Sequence, residues 1–394
     1  MIRRKLMSST PGYLLNDREA KASYSRSGGI DILRALFALW ILFAHVVPWT
    51  ATAQSADAIP VILVTLMHFL AQLMQPVNEL HPAVVGFIVL SGFCIHRRGF
   101  RDQHRNVNGY LVRRAFRILP IYFVAMIAGV AGFLIAANKS PELARTLSGT
   151  LDISPLCLAA KATTLAAITP FAHPCWYAGN APLGTVMVEI QLYLVYALAF
   201  VLIWRGYQQC LLPALAICFA ATLVLDGIFF STSGTYSGTY NWLQNASVMT
   251  YLPYWWIGVF FVNDRFCDNV QSRIVLIAVV WAVLTAILIA YPIYPVVAEL
   301  RKLVFALLVG VLIRVLETLP VQARNPLAAL GRAGYSLYAL HAPLSYTMLI
   351  YGVPWWLVII SNIVLASASY LVVEWPLMER GRMLARSMKA YSDS

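Results

Sequence analysis

The chain has 394 residues, of which 60% are hydrophobic and only 12% are charged, and its net charge is +12 at pH 7. Average soluble domains carry about 25% charged residues, so this composition excludes an ordinary soluble globular protein. A transmembrane helix needs about 20 mostly apolar residues, and such runs recur from Ile30 to Val373. The sequence therefore predicts an all-α polytopic membrane protein, since it lacks the short alternating segments of a membrane barrel.

Ten apolar segments are predicted to cross the bilayer. They are 30–48, 83–96, 118–137, 184–204, 211–230, 250–263, 274–291, 298–315, 334–351 and 354–373. The apolar piece 61–74 is either an interfacial helix or part of the second span. With ten spans, most of the 29 Lys and Arg residues fall on the side of the two termini, and positive residues favour the cytoplasmic side.

This charge distribution predicts cytoplasmic N- and C-terminal tails (1–28 and 379–394) around a transmembrane domain at 29–378. The basic charge is then a signal of topology, and we expect the lipid bilayer, but no nucleic acid, as a partner. No internal repeat is visible in the sequence.

The first span, "GIDILRALFALWILFAHVVP" (29–48), carries Arg34 near one end and His45 near the other. Eleven residues make three helical turns plus about 20°, so both side chains lie on one face, about 16 Å apart along the axis. Ionisable groups inside a membrane usually face the protein interior or a watery cavity and mark functional sites. On these residues alone, Arg34 snorkelling to the headgroups and His45 bonding to a neighbouring helix remain alternatives.

Seven arginines fall between Arg97 and Arg117. Guanidinium groups bind phosphate in bidentate geometry, so this region suits a polyphosphorylated cytosolic ligand. Ordinary positive-inside charge explains the first four of these arginines better. Arg114 and Arg117, on adjacent turns before Pro120 at the start of the third span, are the predicted ligand-binding pair.

Two of the six cysteines, Cys157 and Cys175, share the long loop 138–183, which is predicted to lie outside. In an oxidising compartment this pair would form a disulfide, and two unrelated thiols are the equal alternative. No Cys/His spacing resembles a metal site, so no metal is expected.

Seven segments, in order, resemble motifs of the membrane-bound acyltransferase 3 family, which O-acylates envelope and secreted carbohydrates. Arg34 and His45 fit its Arg-x10-His helix, and "VGFIVLSGFCI" (85–95) is similar to its "FFVLSGF" stretch. Arg114 and Arg117 in "VRRAFRILPIY" match its Arg-x-x-Arg pair.

The later motifs follow in the family's order. "VMVEIQLYLVYAL" (186–198) places Glu189 on the family's glutamate, although the family's usual Trp-Ser-Leu ahead of it is missing here. Three further segments match, namely "LPYWWIGVFF" (252–261), "GRAGYSLYALHAPL" (331–344) and "VEWPLMERG" (373–381). The resemblance covers residues 29 to about 380.

The resemblance implies a multi-pass O-acyltransferase of the bacterial inner membrane. It would move an acyl group, most often acetyl, from cytosolic acyl-CoA to a carbohydrate or glycolipid hydroxyl. Arg114 and Arg117 would hold the CoA nucleotide. His45 would act as general base or as an acyl-accepting nucleophile, with Arg34 and Glu189 as further catalytic residues. Glu189 would orient or charge-balance His45 or Arg34, and a structural glutamate at the outer interface of its helix is the equal alternative.

Three residues of the "GRAGYSLYALHAPL" segment complete the predicted site. Tyr335, Ser336 and His341 would line the acceptor or acyl channel, and a structural histidine is the alternative for His341. A proton-coupled or anion transporter would use the same intramembrane Arg, His and Glu without making a bond, and is the rival function.

Overall fold

The computed structural model describes residues 28–55, 58–74, 81–101, 107–149, 151–168, 179–204, 211–233, 243, 247–291, 295–319, 321 and 325–392. These residues are 89% helical and include no strand, which confirms the all-α class. Residues 1–27 of the predicted N-terminal tail and Cys175 lie outside the described residues.

The described part of the chain forms sixteen α-helices. They are α1 (Gly28–Ala53), α2 (Val61–Met74), α3 (Pro82–Arg101), α4 (Val107–Lys139), α5 (Pro141–Ser148), α6 (Pro155–Ala162), α7 (Leu183–Trp204), α8 (Leu211–Ser233), α9 (Val248–Phe260), α10 (Asp264–Gln271), α11 (Ile274–Ala290), α12 (Pro295–Thr318), α13 (Pro326–Arg332), α14 (Gly334–Ile350), α15 (Trp355–Ser369) and α16 (Trp375–Ser392). A five-residue π-helical turn, Tyr370–Glu374, joins α15 to α16.

A helix is present at each of the ten predicted spans. By length and hydropathy, three helices among the described residues can cross a membrane, namely Gly28–Ala53, Val107–Lys139 and the continuous run Trp355–Met388. Helices α10 and α11, which meet at a 66° bend, would make a fourth span if they act as one. The apolar helices therefore indicate a membrane protein, while ten crossings and cytoplasmic termini stay predictions.

The ambiguous piece 61–74 forms a helix of its own, α2, that contacts α1. Its 14 residues extend about 21 Å, which is less than the roughly 30 Å hydrocarbon core. Val61 and Ile62 are each 80% exposed and Phe69 is 58% exposed. A short helix with exposed apolar side chains favours the interfacial interpretation over a crossing of its own.

Close helix packing surrounds α1 and fixes the position of its polar side chains. Helix α1 contacts α3, α12, α13 and α14. The neighbouring α3 and α9 approach closely through Gly92 and Gly258, where an added Cβ would lie 1.9 Å from the carbonyl oxygens of Trp255 and Val89. Small residues permit such contacts between membrane helices. The side chains of Arg34 and His45 hydrogen-bond to α3 and α14, so the face of α1 that carries them is directed into the protein.

Candidate functional site

The first candidate site is a cavity of about 80 Å³ between α1, α3, α4, α7 and α14, which we call the arginine cavity. It collects five of the predicted residues from four helices. These are Arg34, Arg114, Arg117, Glu189 and Tyr335. Three guanidinium groups around one carboxylate give the cavity a net positive charge, which suits an anionic ligand.

Arg34 is fixed in this cavity from two sides. Its Nη1 lies 2.5 Å from Oδ1 of Asp31, one turn earlier on α1, and its Nη2 lies 3.1 Å from Sγ of Cys94 on α3. Asp31 was not among the predicted site residues, although an i, i+3 acidic neighbour is visible in the sequence. The ion pair balances the Arg34 charge and directs the guanidinium toward α3.

Arg114 and Arg117 enter the arginine cavity from α4. The Arg114 guanidinium carbon lies 5.7 Å from the Tyr110 ring centre and 5.6 Å from that of Tyr193, both within the range of cation–π attraction. Neither arginine forms an ion pair within the described residues, and the buried Nε of Arg114 has no hydrogen-bond partner there. Arg97, by contrast, pairs with Glu317. The two arginines therefore retain N–H groups for a ligand.

Glu189 is held by α3 and by its own helix α7. Its Oε1 accepts hydrogen bonds from Oγ of Ser91 at 2.9 Å and from the hydroxyl of Tyr193. The charge partner of Arg34 is Asp31, and the hydrogen bonds of Glu189 lead to neither Arg34 nor His45. The structure thus places Glu189 beside the predicted ligand-binding arginines.

His45 lies outside the arginine cavity and contacts His341. The Nδ1 of His45 is 2.9 Å from Nε2 of His341, and Nδ1 of His341 is 2.8 Å from the backbone oxygen of Tyr338. The His45 ring also stacks on Trp49, with 4.9 Å between ring centres. The structure therefore joins two histidines that the sequence placed in separate motifs.

His45 lines a second, larger cavity of about 440 Å³ between α1, α2 and the start of α3, which we call the histidine cavity. Trp40, His68 and His81 line it as well, and within the part of the chain that the structure describes no Asp, Glu, Lys or Arg side chain does. Among the described residues no His, Cys, Asp or Glu cluster could hold a metal ion. Sequence analysis did not single out His68 or His81, because no motif or helical spacing ties them to His45.

Hydrogen bonds through α14 connect the wall of the arginine cavity to His45. Tyr338 lines the arginine cavity, and its backbone oxygen is bonded to His341, which in turn bonds His45 in the histidine cavity. The Tyr338 ring meets Phe87 of α3 edge to face, with 5.8 Å between ring centres. Tyr338 and His341, both on α14, thus connect the wall of the arginine cavity to His45 in the histidine cavity.

The neighbours Tyr335 and Ser336 point in different directions. Tyr335 lines the arginine cavity and donates from its hydroxyl to the Ile118 oxygen at 3.0 Å. Ser336 is fully buried, lines neither cavity, and donates to Oε2 of Glu374 at 2.7 Å. Glu374 ends the π-helical turn, and its Oε1 has no hydrogen-bond partner within the described residues.

The structure describes one of the two cysteines of the predicted disulfide. Cys157, on α6, is buried and takes part in a disulfide, whereas Cys94, Cys218 and Cys267 are free. Because Cys175 lies outside the described residues, the pairing of Cys157 with Cys175 stays a prediction.

Comparison with protein families gives one match. The model of an acyltransferase domain, acyltransferase 3, matches residues 27–378. This range contains all the residues that line the two cavities. Neither the curated proteins nor the solved structures give a match to the chain.

Proposed function

Since the chain belongs to the acyltransferase 3 family, we propose that it is an integral-membrane O-acyltransferase. The donor is acyl-CoA, most often acetyl-CoA, and the acceptor is a hydroxyl of an envelope or secreted carbohydrate or glycolipid. Its apolar helices support a position in a membrane, which we propose is the bacterial inner membrane.

The observation that carries this proposal is a pair of cavities of different charge, with His45 in the wall of the second and connected by hydrogen bonds through His341 to Tyr338 in the wall of the first. The arginine cavity presents three guanidinium groups, two of them without a carboxylate partner within the described residues. Among the described residues, no Asp, Glu, Lys or Arg side chain lines the histidine cavity. An anionic thioester donor suits the first cavity and an uncharged hydroxyl acceptor suits the second.

In this mechanism Arg114 and Arg117 bind the phosphates of the donor from the cytosolic side. The acyl end then passes Tyr338 and reaches His45. His45 Nε2 takes the proton of the acceptor hydroxyl while the oxygen attacks the thioester carbonyl carbon. The carbon–sulfur bond breaks, and the leaving CoA thiolate takes the proton from His45. In the alternative order, His45 first accepts the acyl group and then passes it to the hydroxyl.

Glu189 and Arg34 would act at the donor end of this path. Glu189 holds Ser91 and Tyr193 in the wall of the cavity, and Arg34 adds the third positive charge. Their proposed role is to shape the donor site, since neither contacts His45.

The test is acetyl-CoA turnover and CoA binding by the purified protein in detergent or proteoliposomes. His45→Ala should bind CoA normally and lose about 10²–10⁴-fold in turnover, the usual contribution of a general base. Arg114→Ala should weaken CoA binding by roughly 10- to 100-fold, because a charged hydrogen bond is lost. Arg382→Ala is the matched control, since that arginine lies in the exposed pair with Glu379 on α16.

Equal turnover in the wild type and both cavity variants would contradict the proposal. If the wild type does not cleave acyl-CoA but moves protons or anions across proteoliposomes, the transporter function replaces the acyltransferase proposal. A transporter makes no acyl bond, so mass analysis of a carbohydrate acceptor separates the two functions.

A further inference from the structure

We propose that His341 is a positioning residue that holds His45 in the Nδ1-protonated tautomer, which leaves Nε2 of His45 with its lone pair for acyl transfer. The inference rests on the proposed function, because it assigns a role in that reaction. It is supported by a chain of hydrogen bonds that runs from the Tyr338 backbone oxygen through His341 to His45.

The tautomers follow from the chemistry of the groups in this chain. A backbone carbonyl oxygen only accepts hydrogen bonds, so Nδ1 of His341, at 2.8 Å from the Tyr338 oxygen, carries the hydrogen. A neutral imidazole has one donor and one acceptor, so Nε2 of His341 is the acceptor. His45 Nδ1, at 2.9 Å, must therefore donate to it. The remaining ring nitrogen of His45, Nε2, is then unprotonated.

The surroundings favour two neutral rings. His341 is 1% exposed, and among the described residues no Asp or Glu side chain lines the cavity at His45 to balance a positive ring. Two imidazolium ions at this distance would repel each other strongly in a buried place. The carbonyl at the end of the chain belongs to α14, so its direction is fixed by the helix.

Packing holds the rings in the same arrangement. The His45 ring stacks on Trp49, with 4.9 Å between ring centres, and lies nearly coplanar with its hydrogen-bond partner His341, whose ring centre is 5.0 Å away. A catalytic base oriented by a third group is the general logic of nucleophile–base–orienter sites. Here the third group is a neutral imidazole whose own tautomer is set by a backbone carbonyl.

The protonation state of His341 does not change during the proposed reaction. When Nε2 of His45 takes the hydroxyl proton, Nδ1–H continues to donate to His341 Nε2, and no proton moves to His341. When the thiolate leaves, the Nε2 proton passes to sulfur and the starting tautomers remain. Loss of the acceptor at position 341 would let His45 place its hydrogen on Nε2, where it cannot accept the hydroxyl proton.

The first experiment compares His341→Leu with His341→Gln, two side chains of similar size. Leucine has no acceptor, whereas the glutamine amide oxygen accepts from His45 and its NH₂ group donates to the Tyr338 oxygen. We expect kcat for acetyl-CoA turnover to fall at least about 10-fold in His341→Leu, with unchanged CoA affinity, and to recover largely in His341→Gln. Equal kcat in the leucine variant and the wild type, or in the two variants, would overturn the proposal.

The second experiment reads the tautomer directly by ¹⁵N NMR of histidine-labelled protein in detergent, without substrate. The chain has seven histidines, so the His45 signals are assigned by their loss in His45→Gln. In the wild type, His45 should show a protonated Nδ1 and an unprotonated Nε2, and in His341→Leu its hydrogen should be on Nε2. The Ile41 carbonyl, one turn earlier, is a second acceptor beside the His45 ring. If His45 keeps its Nδ1 hydrogen in His341→Leu, Ile41 sets the tautomer and the proposal is wrong.

This spectrum also separates the inference from the proposed function. A protein that does not cleave acyl-CoA refutes the enzyme proposal and with it the role of His341 in transfer. A wild type that cleaves acyl-CoA while His45 carries hydrogen on Nε2 refutes the positioning role alone.

Discussion

Arg34 and Asp31 form an ion pair across one turn of α1, with 2.5 Å between Nη1 and Oδ1. Their side chains are only 21% and 11% exposed, so water screens the pair weakly. Asp31 lies in the first turn of α1, where the helix dipole also favours a carboxylate. This pair fixes the positive group that α1 contributes to the arginine cavity.

Asp31→Asn should destabilise the protein by about 1–3 kcal/mol, because it leaves Arg34 partly buried without its counter-charge. Thermal unfolding in one detergent would measure the loss. The matched control is Glu379→Gln, which breaks the Arg382–Glu379 pair at the same i, i+3 spacing but 32% and 41% exposed. The control should change stability by less than about 1 kcal/mol. Equal losses in the two variants would mean that the Asp31 charge has no special role.

Gly331 on α13 packs against the same turn of α1. An added Cβ there would lie 1.6 Å from the backbone oxygen of Asp31. Gly331→Ala should therefore push α13 from α1 and destabilise the protein by about 1–3 kcal/mol, the usual range for overpacking. Gly227→Ala on α8 is the control, because no described atom outside the backbone of its own helix lies within 4 Å of the added Cβ.

The two alanine variants are compared by their melting temperatures in the same detergent. Alanine has the higher helix propensity, so Gly227→Ala should leave stability unchanged or raised. A Gly331→Ala protein as stable as the wild type would show that α13 and α1 can separate at little cost.

Apolar runs in the sequence predict the helices, because a segment that avoids water must satisfy its own backbone. Helical spacing likewise predicts that Arg34 and His45 share a face. It does not show that they line different cavities, since about 16 Å along one face is long enough to reach two sites. The predicted single catalytic group of Arg34, His45 and Glu189 is thus divided between two places in the described structure.

The contacts that complete the site join residues far apart in sequence. His45 and His341 are separated by 296 positions, and Ser91 and Glu189 by 98. No local period predicts such pairs. Tyr335 and Ser336 are adjacent in sequence, but neighbours on a helix point about 100° apart, so their side chains reach different surroundings. Their motif placed them together, but only Tyr335 lines a cavity.

Lys161 on α6, outside the membrane-spanning helices, provides a pH-dependent prediction. Its side chain is fully buried, and burial lowers the pKa of Lys161 to about 7. In the unfolded chain the pKa is about 10.4, so between pH 7 and 10.4 the unfolded state binds more protons. Stability should therefore rise with pH across this window and level off on both sides of it.

The expected rise from Lys161 between pH 7 and pH 9 is about 2 kcal/mol. It is measured as the difference in unfolding free energy between the wild type and Lys161→Met, which cancels the other titrating groups. Methionine keeps the backbone oxygen that accepts from the Tyr122 hydroxyl at 2.6 Å. A constant difference between the two proteins over this pH range would show that buried Lys161 stays charged.

The disulfide prediction can be tested by deciding the partner of Cys157. Cys175→Ser should leave Cys157 as a thiol that reacts with iodoacetamide in unfolded, non-reduced protein, while Cys157 of the wild type stays unreactive. Cys210→Ser is the control and should leave Cys157 blocked, as peptide mass spectrometry would show. Loss of a bridge that closes a loop of this length should cost about 3 kcal/mol of stability. A free Cys157 in Cys210→Ser would instead show that the predicted pairing is wrong and that Cys157 is bonded to Cys210, which follows α7 in the sequence.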